Sequence, residues 1–288
     1  MTKFGNTAVM ALSAIAVSAM ASTAVSAATL AEIQESGTIR IAVANEIPYG
    51  YVDPTGKALG AGPDVAKALM EELGVENIEW VTTNFSSLIP GLRADRFDMV
   101  AAEMAIRPDR CTQVLFSEPN SSYGEGLLVA EGNPKGIHAY GDFADNPDYK
   151  VAIMAGADQL EMLQELGVSE ANMVTIASNA DAISTVSTGR ADAYAATSLT
   201  ASGLADQGKG VEVAAEFTDP VIDGNEVRSW GGFTFASGNE ELRDAVNDAL
   251  AEFKQTPEWE ETLTGYGFTQ SDVDGSAKRS TDELCTEA

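Results

Sequence analysis

Apolar residues along the chain follow two alternating patterns, one typical of strands and the other of helices. Residues 39–43 carry β-branched side chains on either side of Arg40, which predicts a strand. Pro63 opens a segment with apolar residues at helical spacing that runs to Leu73. Gly74 then provides an end signal, so a helix is predicted there. The same patterns predict strands at residues 78–82 and 97–101 and a helix at residues 86–94.

A second unit of alternating strands and helices is predicted from Lys150 onward. Its strands fall at residues 151–154, 173–176 and 191–196, and its helices at residues 158–166 and 181–188. An apolar strand at residues 230–235 follows, and then two helices at residues 240–254 and 259–263. Strands that alternate with helices form mostly parallel sheets flanked by helices. The predicted fold class is therefore α/β, with two such units followed by a helical C-terminal segment.

The first 27 residues have the three parts of a signal peptide. Lys3 is the only charged residue before Glu32, an alanine-rich apolar stretch spans residues 8–21, and small residues occupy positions 24–28. A transmembrane anchor is the alternative, but the apolar stretch is too short for about 30 Å of hydrocarbon and no stop-transfer pattern follows it. We expect cleavage after Ala27. Because no cysteine lies near that site, we expect a periplasmic protein of a Gram-negative bacterium without a lipid anchor.

The charge of the chain excludes one class of partner. The formal net charge is −27 at pH 7, whereas proteins that bind nucleic acid need a basic surface for the phosphates. Removal of the predicted signal peptide leaves about 261 residues, which is enough for two domains that each bury a core. The acidity fits either a halophilic or marine habitat or a simple gain in solubility.

The sequence contains two cysteines, Cys111 and Cys285. An even number of cysteines in an exported protein indicates a disulfide. This bond would connect the C-terminal tail with the first unit. Free thiols or metal ligands are the alternatives, but two cysteines and the single His138 make a poor set of metal ligands.

A candidate ligand-binding residue follows the strand predicted at residues 97–101. Arg110 lies beyond the carboxyl end of that strand, which is where open α/β sheets bind ligands. Its planar guanidinium suits a carboxylate, to which it can donate two parallel hydrogen bonds. The alternative is a surface arginine that pairs with Asp109 or Glu118. Spacing alone leaves both interpretations open.

Five short motifs together resemble the extracytoplasmic solute-binding proteins of ABC importers, in the polar amino acid family. The motifs are FSSLIPGL at residues 85–92, RFDM at 96–99, PDR at 108–110, FSEP at 116–119 and GRADA at 189–193. The resemblance covers nearly all of the chain after the signal peptide. It implies a two-lobed periplasmic binding protein of type II that captures its ligand by closure of the lobes and presents it to an inner-membrane ABC permease. We expect a monomer without a cofactor.

The resemblance also implies where the chain passes between the lobes. The chain would leave lobe one after Pro119 and return to it near Trp230. Lobe one would then consist of residues 28–120 and 230–288, the second stretch including the C-terminal helices, and lobe two of residues 121–229.

Single residues take their roles from the same resemblance. Arg110 is placed as the clamp for a ligand carboxylate, and Phe85 as an aromatic wall of the pocket. Glu103 occupies a position that is usually a small hydroxyl residue in contact with the ligand's amino group. Thr197 stands where an aspartate usually binds that group. A standard α-amino acid would lose its usual counter-ion here, although Glu103 would supply a substitute.

One subgroup of the family, which binds ectoine and hydroxyectoine, is similar in further motifs. These are NEIPY at residues 45–49, SSLIPGL at 86–92, RC at 110–111, GA at 156–157, DAYAATSLT at 192–200 and ELC at 283–285. Ectoine is a zwitterionic ring with a carboxylate and a delocalised cation. Tyr49 and Phe85 would supply aromatic faces for that cation, and Glu46 its counter-charge. Contributions from lobe two would come from the turn Gly156, Ala157 at a helix start and from Thr197.

Two positions depart from the ectoine-binding pattern. Ala105 stands where a third aromatic wall is expected, and Glu103 is an acid where a small residue is usual. One lost aromatic and one added acid favour a more localised or bulkier cation. A related compatible solute or a cationic amino-acid derivative is therefore the alternative ligand. A solvent-facing side chain is the alternative interpretation of Glu103.

Four other residues invite a functional interpretation, and for most of them a structural role is expected. Trp80 and Tyr194 lie in strand patterns and are predicted in the core. Asp158 is predicted at the start of a helix, where a negative charge favours the helix dipole. Trp230 lies near the predicted hinge, either in contact with the pocket or outside it.

Enzyme classes with clear sequence signatures are not indicated. The chain contains neither a Gly-x-Ser-x-Gly nucleophile elbow nor a Gly-x-x-x-x-Gly-Lys-Ser/Thr phosphate loop. A lone histidine in a polar loop, His138, is a weak candidate for a general base. We therefore predict a binding protein without catalytic or metal-binding residues. A dehydratase on the same fold, with Glu103 and Glu46 as its acid and base candidates, is the alternative from another class.

Overall fold

The computed structural model describes residues 28–286, so the predicted signal peptide lies outside the described residues. In this range the α-helices are α1 Leu30–Ser36, α2 Ala61–Glu72, α3 Leu88–Arg93, α4 Pro108–Cys111, α5 Asp142–Asp145, α6 Gln159–Glu165, α7 Ala180–Ser187, α8 Ser198–Gln207, α9 Glu240–Phe253, α10 Pro257–Gly265, α11 Gln270–Gly275 and α12 Thr281–Thr286. The strands are β1 Thr38–Val43, β2 Tyr51–Val52, β3 Ala58–Leu59, β4 Asn77–Thr82, β5 Met99–Ala105, β6 Val114–Phe116, β7 Ser121–Tyr123, β8 Glu125–Ala130, β9 Val151–Met154, β10 Met173–Ile176, β11 Ala193–Thr197, β12 Val211–Val213, β13 Val221–Ile222, β14 Asn225–Glu226 and β15 Ser229–Ala236.

The first sheet has the strand order β4-β1-β5-β15-β6, and β7 also pairs with β15. Strand β1 is parallel to β4 and β5, whereas β15 is antiparallel to β5, β6 and β7. Ile41, Leu69, Phe233 and Leu250 are fully buried where helices α2 and α9 cover this sheet. Burial of such side chains stabilises the lobe by roughly 1.5–3 kcal/mol for each of them.

The second sheet has the strand order β10-β9-β11-β8-β12. Strand β9 is parallel to β10 and β11, and β8 is antiparallel to β11 and β12. Its core includes Leu127, Tyr140, Phe143, Val151 and Leu163, all buried. This sheet and its helices form a second lobe with a core of its own, as the second alternating unit of the sequence predicts.

The chain crosses between the two sheets at two adjacent places. Gly124 alone separates β7, in the first sheet, from β8, in the second. The chain returns at Ser229, the first residue of β15, and Ser229 pairs with Tyr123 of β7. The two crossings therefore lie side by side, which is the arrangement of a two-lobed binding protein with a double hinge. The predicted fold class is confirmed.

Most predicted elements are present, and the differences have local causes. The strand predicted at residues 97–101 runs from Met99 to Ala105, because Phe97 packs instead against Gly91 of helix α3. Helix α2 begins two residues before Pro63. Trp80, predicted in the core, is only half-buried at the edge strand β4, where Nζ of Lys67 lies 5.7 Å from its ring centroid.

Cys111 and Cys285 form a disulfide, as predicted, with 5.7 Å between their Cα atoms. The bond joins helix α12 to helix α4, the short helix that also carries Arg110. Within residues 28–286, none of the helices is long and apolar enough to cross a membrane.

Candidate ligand-binding site

A cavity lies between the two lobes, close to the double crossing. The space between its walls is about 380 Å³, its opening to solvent included. Its lining comes from both lobes and consists of Glu46, Tyr49, Phe85, Ala102, Glu103, Ala105, Arg110, Tyr123, Met154, Ala157, Asp158, Gln159, Tyr194, Ala196 and Thr197.

The cavity brings together nearly all of the residues that the sequence singles out. Seven of the eight predicted ligand-binding residues line it, and the eighth, Gly156, touches it through a hydrogen bond from Arg110. The lining also includes Ala105, where an aromatic residue would follow the ectoine-binding pattern.

Arg110 is buried, with 6% of its surface exposed. Its Nη1 donates to the carbonyl of Ala105 at 2.9 Å, and its Nη2 donates to the carbonyl of Gly156, in the other lobe, at 3.0 Å. The guanidinium carbon lies 5.6 Å from the ring centroid of Phe85. A guanidinium has five N–H donors, so three remain for a ligand in addition to these two hydrogen bonds.

The position of Arg110 follows from the local sequence. Arg107 has an extended backbone and Pro108 occupies the first turn of helix α4, where its fixed φ suits a helix start. The helix directly follows β5, so Arg110 stands at the carboxyl end of a central strand. Gly156, which meets Arg110 from lobe two, has φ +82°, and a Cβ there would approach Cα of Ser86 to 3.0 Å.

Glu46 and Tyr49 come from the loop after β1 and bond directly to helix α8 of the second lobe. The Tyr49 hydroxyl donates to Oγ1 of Thr197 at 2.8 Å, and Oγ1 of Thr200 donates to the Glu46 carboxylate at 2.9 Å. Thr197 is the N-cap of α8 and also accepts from the N–H of Thr200. With the bond from Arg110 to Gly156, these contacts hold the lobes together around the cavity.

Three aromatic rings pack together around Tyr49. The ring centroid of Tyr49 lies 5.1 Å from that of Tyr123 and 5.8 Å from that of Phe268. Tyr49 and Tyr123 both line the cavity, and their spacing is typical of packed aromatic pairs. The loop is fixed to helix α2 because Gly60 has φ +121°, and a Cβ there would lie 2.8 Å from the carbonyl of Pro48.

Glu103 lies in an irregular stretch of β5 with a left-handed backbone, φ 48°, where the pairing with β15 shifts register. Asn120 donates to one carboxylate oxygen of Glu103 at 2.7 Å, and Ser121 donates to the other at 2.5 Å. Burial raises the pKa of this carboxyl, and these hydrogen bonds oppose the rise. Both oxygens of Glu103 therefore have partners next to the crossing segments.

A partly buried lysine, Lys254, interacts with the charge of Glu103. Nζ of Lys254 donates to the carbonyl of Pro119 at 2.7 Å and lies 5.0 Å from the ring centroid of Trp259. Burial lowers the pKa of Lys254 to about 8, and the negative charge of Glu103 works against that change. The result is a polar cluster under the hinge, close to the cavity.

Four polar residues of the lining are not among the ligand contacts predicted from the sequence: Asp158, Tyr123, Gln159 and Tyr194. Asp158 is the N-cap of α6, as expected for a helix start, but its side chain makes no capping hydrogen bond and is buried in the cavity wall. Tyr194 is buried, as predicted, and also faces the cavity, where its hydroxyl donates to Asn179. The position of Asp158 directly after Gly156 and Ala157 was the available sequence signal.

Trp230 lies outside the cavity lining. Its Nε1 donates to the carbonyl of Gly275 at 2.9 Å, and the guanidinium carbon of Arg279 lies 5.4 Å from its ring. The indole therefore packs against the C-terminal helices, and a contact with the pocket is not observed.

The cavity is acidic. Glu46, Glu103 and Asp158 line it, whereas Arg110 is the one basic residue in that lining. Burial raises the pKa of Glu46, because the charged form loses its contact with water. Interactions of its carboxylate with the side chains of Asn179 and Thr200 oppose this rise. Within the described residues, no cluster of three or more His, Cys, Asp or Glu side chains could hold a metal ion.

Comparisons with known proteins agree on one class. The sequence profile of the bacterial extracellular solute-binding proteins, family 3, matches residues 39–269. A probable amino-acid ABC transporter periplasmic-binding protein of Sinorhizobium fredii is 55% identical over 262 residues, covering 90% of this chain and 87% of that protein. The lysine/arginine/ornithine-binding periplasmic protein of Escherichia coli is 25% identical, covering 89% of this chain and 97% of that one.

Solved structures show the same likeness. EhuB in complex with hydroxyectoine is 31% identical with a TM-score of 0.81, covering 90% of this chain and 98% of that chain. An ancestral amino acid-binding protein, a precursor of cyclohexadienyl dehydratase, is 32% identical with a TM-score of 0.72, covering 82% of this chain and 98% of its own.

Proposed function

This chain belongs to the bacterial extracellular solute-binding proteins, family 3, and we propose that it captures a small solute that carries both a carboxylate and a cationic group. It is the periplasmic binding component of an amino-acid ABC transporter and not an enzyme, in keeping with its family and with the 55% identity to a probable periplasmic-binding protein of such a transporter. The cavity between its lobes, with one buried arginine among acids and aromatic rings, is the observation that carries the proposal.

The carboxylate of the solute would bind Arg110. Three of its guanidinium donors are not used by Ala105 and Gly156, and a carboxylate accepts two of them in parallel. Removed from water, this charged pair is stabilised by hydrogen bonds that are shorter and stronger than neutral ones. Phe85 stacks near the guanidinium and limits its freedom.

The cationic group would lie against Tyr49, Tyr123 and Glu46. Each aromatic face contributes roughly 0.5–2 kcal/mol toward a cation, depending on how fully water is removed. Tyr123 would supply the additional aromatic wall that Ala105 cannot. Hydroxyectoine and ectoine, which combine a carboxylate with a delocalised cation, are the first candidates, and the likeness to EhuB with its bound hydroxyectoine supports them.

A cationic amino acid or derivative is the second candidate. The acid content of the cavity favours it, because Asp158 adds a third buried carboxylate to the lining beside Glu46 and Glu103. The lysine/arginine/ornithine-binding protein among the relatives is consistent with this class.

A thermal-shift panel tests the proposed function. If hydroxyectoine is the ligand, a concentration of 100 times Kd stabilises the folded state by about 2.7 kcal/mol. For a protein of this size that is a rise in Tm of roughly 5–10 °C. The methyl ester of ectoine, which lacks the carboxylate charge, serves as the control and should give little shift. A large shift with a cationic amino acid alone would select the second candidate, and no shift with either class would contradict the proposal.

The hydrogen bond from Tyr49 to Thr197 gives a prediction about lobe closure. Tyr49→Phe removes a bond between the lobes that contributes about 0.5–1.5 kcal/mol, so ligand affinity should fall by roughly 2- to 10-fold. Small-angle scattering should show a larger fraction of open molecules. Tyr51→Phe is the matched control, because no hydrogen bond of its hydroxyl is found among the described residues. Equal affinity for Tyr49→Phe and wild type would show that this bond does not stabilise the closed form.

The proposed function also requires export of the chain and a division into two lobes. We propose that residues 1–27 direct the chain across the inner membrane and are then removed, which agrees with a family of extracellular binding proteins. Lobe one would comprise residues 28–120 and 230–288, and lobe two residues 121–229, with a monomer as the working form at the permease.

A further inference from the structure

Two carboxylates stand on the lobe-two side of the site, next to the crossing segments. Asp158 has 8% of its surface exposed and lines the cavity. Among the residues that the structure describes, the one hydrogen bond to its carboxylate comes from the Ser229 hydroxyl at 3.5 Å, the outer limit for such a bond. Its carboxylate is therefore buried, directed at the cavity and nearly without donors.

Glu125 lies directly behind this wall. One oxygen accepts from Gln159, a cavity residue, at 2.7 Å and from Tyr140 at 3.1 Å. The other oxygen is buried and has no hydrogen-bond partner among residues 28–286. Burial and then the charge of Asp158 raise the pKa of Glu125 to about 8.

The other two acids of the cavity differ in this respect. Glu103 has a donor on each oxygen, from Asn120 and Ser121, and Glu46 accepts from Thr200. Buried carboxylates are normally paired or fully hydrogen-bonded, since an uncompensated one costs several kcal/mol. Asp158 in the wall and Glu125 behind it are thus less completely hydrogen-bonded than Glu103.

Two basic residues near this pair have acidic partners of their own. Arg107 feels the charge of Asp158, but its Nε is paired with Asp109 at 3.2 Å. Arg228 is paired with Asp272. An ammonium group can donate directly to a single buried carboxylate such as that of Asp158.

We propose that Asp158, with Ser229 beside it and Glu125 behind Gln159, forms a subsite for a second cationic group of the ligand. The inference rests on the proposed function, since the carboxylate of the same ligand is bound at Arg110. Asp158 would accept directly from an ammonium, and Glu125, when ionised, would add negative charge from one layer deeper. A ligand that uses this subsite is a zwitterion with a net positive charge, such as a dibasic amino acid, which belongs to the second candidate class.

Ornithine and norleucine test the subsite, because their side chains have the same number of heavy atoms and end in an ammonium and a methyl group. A charge-assisted hydrogen bond at Asp158 should make the wild-type protein prefer ornithine by about 10- to 100-fold in Kd, measured by calorimetry. Asp158→Asn should reduce that preference to within about threefold, because a neutral amide of the same shape lacks the charge. Its affinity for norleucine should be retained.

Glu125→Gln tests the deeper acid, and Asp219→Asn is its matched control. Asp219 accepts from the N–H of Glu125 at 3.2 Å but does not line the cavity. At pH 8.5, above the pKa of about 8 for Glu125, Glu125→Gln should weaken ornithine by about 3- to 10-fold. Asp219→Asn should change it less than twofold.

The outcomes separate the subsite from the receptor function. Wild-type protein that binds hydroxyectoine but does not distinguish ornithine from norleucine overturns the subsite and leaves the receptor function intact. Equal weakening of all three ligands by Asp158→Asn overturns it as well, because Asp158 then acts on lobe closure. Binding of none of the three overturns the proposed ligand class and the subsite together.

Discussion

Replacement of Arg110 by alanine should weaken binding of any carboxylate ligand by roughly 30- to several thousand-fold. Removal of one partner from a buried, hydrogen-bonded charge pair costs about 2–5 kcal/mol, and each 1.4 kcal/mol is a factor of ten in Kd. For Arg110→Ala, the loss of affinity should lie at the upper end of this range. Without Arg110, the ligand carboxylate would meet a wall that contains Glu46, Glu103 and Asp158 and has no other basic residue.

Two further variants show whether this loss comes from the clamp. Arg110→Lys keeps the charge but cannot form the two parallel bonds, so its affinity should fall between those of wild type and Arg110→Ala. Arg96→Ala removes an exposed arginine of the same lobe and should leave Kd unchanged. Calorimetry gives the three values. Retained affinity in a folded Arg110→Ala protein would show that the carboxylate binds elsewhere.

Loss of the disulfide should have the largest effect on stability. Cys111 and Cys285 are 174 residues apart, and a loop of that length restricts the unfolded chain strongly. The chain-entropy relation gives about 5 kcal/mol, and removal of native disulfides typically costs 2–5 kcal/mol. For Cys111→Ser with Cys285→Ser, we expect Tm to fall by roughly 4–20 °C in thermal unfolding followed by circular dichroism.

The reducing agent provides the control for this prediction. Dithiothreitol should lower Tm of the wild-type protein toward that of the double serine variant and should leave the variant itself unchanged. The single variants Cys111→Ser and Cys285→Ser should be destabilised to a similar degree, because either one opens the same loop. A wild-type protein whose Tm does not respond to full reduction would contradict the stabilising role of the bond.

Regular periodicity explains which parts of the fold could be predicted. The long strands β1, β5 and β15 and the helices α2 and α9 combine apolar faces with recognisable ends. The crossing strand β7, Ser-Ser-Tyr, is three residues long and mostly polar. It is a strand because β15 pairs with it from far along the chain, and that tertiary contact leaves no periodic signal.

The residues of the candidate site also fall into those that could be predicted from the sequence and those that could not. Arg110, Phe85, Tyr49 and Glu46 lie in motifs that could be recognised, and the cavity brings them together. Asp158 was expected only to favour a helix dipole, since acids at helix starts usually serve that purpose. Its missing capping bond and its burial depend on how lobe two faces lobe one, which local sequence does not encode. The partners of Glu103 come from the crossing segment for the same reason.

The side-by-side crossings at Gly124 and Ser229 determine the order in which contacts can form. When two rigid lobes rotate about such an axis, atoms near it move little and atoms at the far rim move most. Ser229 lies on the axis and within 3.5 Å of Asp158, so this corner keeps its shape while the lobes are apart. The bonds of Arg110 to Gly156 and of Glu46 to Thr200 join opposite lobes and form only on closure. We therefore expect the rate at which the solute binds to depend on Asp158 and Ser229 at the axis. The rate at which it is released should depend on the contacts that join the lobes on closure.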